Sequence, residues 1–146
     1  EGNASVVVAS SIFTSNEAAI GEGGGSMVQD GARLMGSNTT FQGNFAPNRG
    51  GHVLCQHEAR AVFERSKFIE VLGGGGGVSL QNNCEANFTE CDFEANVAAL
   101  QVEDFTFASL VGCKFTRCRI LRGGSCDHFR LDFLVFQLQL HREPRL

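Results

Sequence analysis

The chain has 146 residues, of which 42% are hydrophobic and 19% charged, with a net charge of −4. That is enough chain for one domain with a buried core, and too apolar for a disordered segment. No block of like charge supplies a nucleic-acid footprint, and no apolar run approaches the roughly 20 residues of a membrane-spanning helix.

Phenylalanine sets a repeat. Phe13, Phe41, Phe68, Phe93, Phe115 and Phe136 follow one another at spacings of 28, 27, 25, 22 and 21 residues. The first repeat offers Val6 and Val8, then Ser11 and Phe13, a turn at Asn16 and Ala18, and then Ser26 and Val28. The second offers Leu34 and Gly36, Thr39 and Phe41, a turn at Asn44 and Ala46, and Val53 and Cys55. The third has Ala61 and Phe63, Ser66 and Phe68, a turn at Val71 and Gly73, and Val78 and Leu80. The fourth has Ala86 and Phe88, Cys91 and Phe93, a turn at Asn96 and Ala98, and Leu100 and Val102. The fifth runs through Ala108, Leu110, Cys113, Phe115, Cys118 and Ile120 to Leu121 and Gly123. The sixth runs through Phe129, Leu131, Leu134 and Phe136 to Gln139.

Small or apolar residues two apart mark a strand with one buried face. Three such pairs per repeat read as one rung of a parallel β-helix, which must stack because a lone rung cannot bury its inward face. The expected fold is all-β, a right-handed parallel β-helix of about six rungs with three short strands each. The length variation collects at one corner, where Gly23–Gly25, Gly50–Gly51, Gly73–Gly77 and Gly123–Gly124 lie. Residues 1–146 form a single β-helix domain in this reading. The absence of a leader at Glu1 and of a clear cap after Gln137 suggests a segment of a longer repeat protein.

Cys55, Cys91 and Cys113 fall at inward positions, where a free thiol acts as a small hydrophobe. Cys91 and Cys113 share a column about 4.8 Å apart with parallel Cβ vectors, poor geometry for a bridge. The expectation is reduced, buried, stacked thiols. The spacing of Cys113, Cys118, Cys126 and His128 matches no recurrent zinc pattern, so neither a metal nor a cofactor is expected. Sequons at Asn3, Asn38 and Asn87 lean toward an extracellular or cell-surface location.

Two outward columns are polar. One holds Gln29, Gln56, Gln81 and Glu103, the other Asp30, His57, Asn82 and Asp104. Together they form a strip suited to an extended glycan, although stacked amides also bond one another without any ligand. A second face alternates in sign, with Arg65, Glu90, Lys67, Asp92 and Lys114. No catalytic set emerges. Asp30 and Asp104 stand about 14 Å apart, beyond a glycosidase carboxylate pair. Arg122 is the nearest candidate base, and Gly73–Gly77 lacks the Lys-Ser/Thr of a phosphate loop.

The phrase F-x-x-N-x-A recurs at Phe13–Asn16–Ala18, Phe41–Asn44–Ala46 and Phe93–Asn96–Ala98, with Gly50–Gly51 after the second. It resembles the F-x-x-N and Gly-Gly-Ala motifs of polymorphic outer membrane protein repeats and, more broadly, right-handed β-helix proteins of the pectin-lyase-like superfamily. Val71 and Cys118 depart from it in place of Asn, and His52, Val78 and Ser125 depart in place of Ala. The resemblance implies a non-catalytic stalk, adhesin or glycan-binding segment of a secreted or surface protein. Its partners would be a glycan, another protein or neighbouring rungs. The alternative it implies is a fragment of a polysaccharide lyase, hydrolase or epimerase.

Overall fold

The computed structural model describes residues 3–72, 76–96, 98–103, 106–122, 128–132 and 138–142, the residues from 119 onward by backbone alone. No helix occurs among the described residues, which form seventeen strands numbered in chain order. The first turn is β1 (Ser5–Ala9), β2 (Ile12–Thr14) and β3 (Ser26–Val28). The second is β4 (Arg33–Ser37), β5 (Thr40–Gln42) and β6 (Val53–Cys55). The third is β7 (Arg60–Glu64), β8 (Lys67–Ile69) and β9 (Val78–Leu80). The fourth is β10 (Glu85–Thr89), β11 (Asp92–Glu94) and β12 (Leu100–Val102). Then come β13 (Phe107–Val111), β14 (Lys114–Thr116), β15 (Cys118–Arg122), β16 (His128–Asp132) and β17 (Leu138–Arg142). They assemble into three parallel sheets of six, five and six strands, each built from every third strand of the chain until β15. This is a parallel β-helix.

The register places the inward columns where the repeat puts them. Val6, Leu34, Ala61, Ala86 and Ala108 are paired in succession, as are Val8, Gly36, Phe63, Phe88 and Leu110. The Phe rings of the second sheet stack face to face, with centroids 4.8 Å apart for Phe13–Phe41, 5.2 Å for Phe41–Phe68, 4.8 Å for Phe68–Phe93 and 4.6 Å for Phe93–Phe115. Stacking at the strand spacing lets one residue type fill the same place in each turn. Phe136 lies outside the described residues.

The corner between the first and second sheets is made by one left-handed residue per turn: Ser10, Asn38, Arg65, Glu90 and Gly112, with φ of 49°, 48°, 46°, 52° and 64°. The next residue turns inward and donates to the carbonyl two places back. Ser11, Thr39 and Ser66 do so with hydroxyls, at 2.9, 3.0 and 3.0 Å. Cys91 and Cys113 do so with thiols, at 3.4 and 3.6 Å. The two thiols therefore continue a hydroxyl column, and both are free and buried.

Three expectations need correction. Four turns are regular, fewer than the six expected. After β14 only Arg117 intervenes before β15, because the chain at Cys118 passes straight into the third sheet. The same shortening shifts the register: Ile120, not Leu121, pairs with Leu100, and Arg122, not Gly123, pairs with Val102. Finally, Cys55 is not a free thiol. It is bridged to Cys84, with Cα atoms 6.0 Å apart. Cys84 belongs to a column with Ala32 and Ala59, whose N–H groups each close the corner onto a Gln carbonyl three residues back. That column faces the end of the preceding turn, which brings Cys84 within bridging distance of Cys55.

Candidate functional site

The corner between the third sheet and the first carries the polar columns. In each turn it is built from two successive left-handed residues: Asp30 and Gly31 (φ 56° and 76°), His57 and Glu58 (51° and 61°), Asn82 and Asn83 (51° and 62°). Asn, Asp and Gly tolerate this region better than other residues, which is why they recur here. The corners stack through backbone bonds, with Gly31 N–H donating to the His57 carbonyl at 3.1 Å and Glu58 N–H to the Asn82 carbonyl at 3.0 Å.

This stacking lines up one side-chain row across three turns. Asp30, His57 and Asn82 line a groove of about 710 Å³, together with Asn3, Glu58 and Asn83. The His57 Nδ1 lies 3.5 Å from the Asp30 carboxylate, with side chains 50% and 69% exposed, so the pair is open to solvent. Asp104, the fourth member of this row, lies outside the described residues.

The neighbouring row is differently placed. Gln56 Nε2 donates to Gln29 Oε1 at 2.9 Å, and Gln81 Nε2 donates to Gln56 Oε1. Gln29 is exposed, while Gln56 and Gln81 are buried, so their amides serve the ladder. The ladder stops at Glu103, whose carboxyl group is taken by other partners. Gln81 Oε1 is left buried without a hydrogen-bond partner among the described residues. Glu103 is held by Arg49 at 3.3 Å and accepts from Gln101 Nε2. Sequence reasoning read Asn3 only as a sequon and did not single out Arg49, Glu58 or Asn83. The last two follow directly after His57 and Asn82, so a two-residue corner was their only signal.

On the second sheet the register sets Asp92 opposite Lys67 on one side and Lys114 on the other, so charges alternate across adjacent strands, and further ion pairs lie outside that set. Arg60 meets its register partner Glu85 at 2.8 Å, and Arg117 meets Glu94 at 3.1 Å. The Cys91 thiol beside it lowers the pKa of the Cys113 thiol. The Cys113 thiol beside it and burial push the Cys91 thiol up, and burial does the same to Cys118. Cys91 and Cys118 stay protonated at neutral pH. Among the described residues no cluster of three or more His, Cys, Asp or Glu side chains is placed to hold a metal ion.

No curated protein matches the chain, and no solved structure does. A family model described as a right-handed β-helix region matches residues 1–131. With three parallel sheets wound from every third strand and this match over most of its length, the chain belongs to the right-handed β-helix family.

Proposed function

We propose that this chain is a non-catalytic β-helix segment of a secreted or surface protein, a stalk or adhesin-type rod that can hold an extended glycan along its third corner. The observation that carries the reading is the groove across three turns, where Asp30, His57 and Asn82 repeat at the strand spacing. A row of donors and acceptors about 4.8 Å apart suits a polymer with repeating hydroxyls, and shallow contacts summed over several turns give avidity. The F-x-x-N and Gly-Gly repeats, with their resemblance to polymorphic outer membrane protein repeats, support the surface location.

Glycan-array screening followed by titration calorimetry tests the reading. Binding should be weak and should weaken several-fold on joint replacement of Asp30, His57 and Asn82 by Ala. A blank array, or binding indifferent to that triple change, removes the groove and leaves the stalk. The enzymatic alternative draws on one observation, the Asp30–His57 pair on adjacent turns. Turnover of pectin, alginate or a related glycan that is lost in His57→Ala would favour it.

A further inference from the structure

The corner after the Phe strands carries an amide ladder with one member replaced. Asn16, Asn44 and Asn96 occupy equivalent places, and Val71 interrupts them. Asn44 Oδ1 accepts from the Asn16 N–H at 2.9 Å and from Asn16 Nδ2 at 3.0 Å, while Asn44 Nδ2 donates to the Phe13 carbonyl at 2.9 Å. Asn96 Nδ2 donates to the Phe68 carbonyl at 2.8 Å, and Asn96 Oδ1 accepts from the Val71 N–H at 2.9 Å. Valine offers nothing to join the two asparagines.

His52 does. Its Nδ1 lies 3.1 Å from Asn44 Nδ2 and its Nε2 3.1 Å from Asn96 Oδ1. The side chain is fully buried, with ring centroids 6.4 Å from Phe41 and 6.3 Å from Phe68. Asn44 Oδ1 is committed to Asn16, so Asn44 must present its amide hydrogen to Nδ1. The imidazole is therefore neutral, with its hydrogen on Nε2 donated to Asn96. An imidazolium has no lone pair for Asn44 and would set two donors against each other.

We propose that His52 is an acid-sensitive pin, closing the corner after β8 while neutral and releasing it when protonated. Asn44, Asn96, Phe41, Phe68 and the Ile69 carbonyl, which surround the ring, are all uncharged; Asn96 and the Ile69 carbonyl favour the charged ring, but burial outweighs them. The titratable group tied to the same ladder is Cys118, 4.0 Å from Asn96 Nδ2, whose thiol burial keeps protonated. Burial lowers the His52 pKa from 6.5 to about 4. The unfolded chain thus takes up the proton first as pH falls. The contribution is complete above about pH 6.5 and is lost as pH falls through about 4, approaching roughly a 300-fold change in the folding equilibrium below that.

The test compares the wild-type chain with a Val71→Asn/His52→Ala double variant, which returns an amide to the third turn and removes the imidazole. Denaturant titrations from pH 7 to pH 4 should show the wild type losing roughly 100-fold in folding equilibrium relative to the variant. A parallel pH dependence for the two would overturn the proposal. Should the variant not fold, wild-type NMR decides. His52 should remain neutral to well below pH 6, and protection of the Val71 amide should fall as it titrates. A His52 titrating at its ordinary value in the folded chain, or a Val71 amide equally protected before and after titration, would overturn the pin.

Discussion

At the scale of single residues, the chemistry of the cysteines is set by which column each one joins. Cys91 and Cys113 replace hydroxyls in the first-corner column, bond the equivalent carbonyls and are free thiols. Cys84 stands in the Ala32 and Ala59 column, where only a sulfur could reach back to Cys55. The bridge spans 29 positions and ties the second turn to the start of the fourth. Loop closure of that length restricts the unfolded chain by about 3–4 kcal/mol. Alkylation of the native protein without reductant, followed by peptide mapping, should return Cys55 joined to Cys84. Cys91, Cys113 and Cys118 should be alkylated only after unfolding. A Cys91–Cys113 bridge in that map would contradict the column assignment, and a Cys84→Ala variant as stable as the wild type would leave the bridge without energetic weight.

At the scale of the strand, each inward place is fitted to its neighbours in the turns on either side. Gly36 shares a column with Val8 and Phe63, and an added Cβ there would run into the Phe63 ring. That ring cannot retreat, because it meets Phe41 and Phe68 edge-on at 5.8 and 5.2 Å. Gly36→Ala is therefore expected to cost about 1–3 kcal/mol as overpacking, read as a lower urea midpoint. An unchanged midpoint would mean that the ring has room. The strands were legible because a period of two repeated at the same offset from each Phe leaves little choice of face. The shifted register of β15 was not legible, since counting back from Phe136 assumes a corner that the chain drops at Cys118. Of the candidate site, the Asp30, His57 and Asn82 row could be read from the repeat. Burial of Gln56 and Gln81 could not, because alternation marks them outward and only the amide ladder draws them under the corner. Nor could His52, whose role exists only because Val71 leaves a gap in a column it does not belong to.

At the scale of the whole molecule, each turn pairs its strands with the turn before and the turn after, with His52–Asn96 and Cys55–Cys84 reaching further, so stability is close to a sum of turns and interfaces. The Phe column makes this measurable. Phe93 is fully buried, stacked on Phe68 and Phe115 and met edge-on by Phe88 at 5.5 Å. Phe13 is half-buried and stacks on Phe41 alone among the recorded rings. Phe93→Ala removes contacts on both sides and should cost about 3–5 kcal/mol, with a cavity left behind. Phe13→Ala removes one interface and leaves no enclosed cavity, so its cost should be well under half of that. Hydrogen exchange should separate the two in space. The Phe93 change should lower protection in β8, β11 and β14 together, whereas the Phe13 change should leave β11 and β14 untouched. Equal costs, or loss of protection along the whole rod from Phe13→Ala, would show that the solenoid unfolds as one unit and that its turns are not energetically separable.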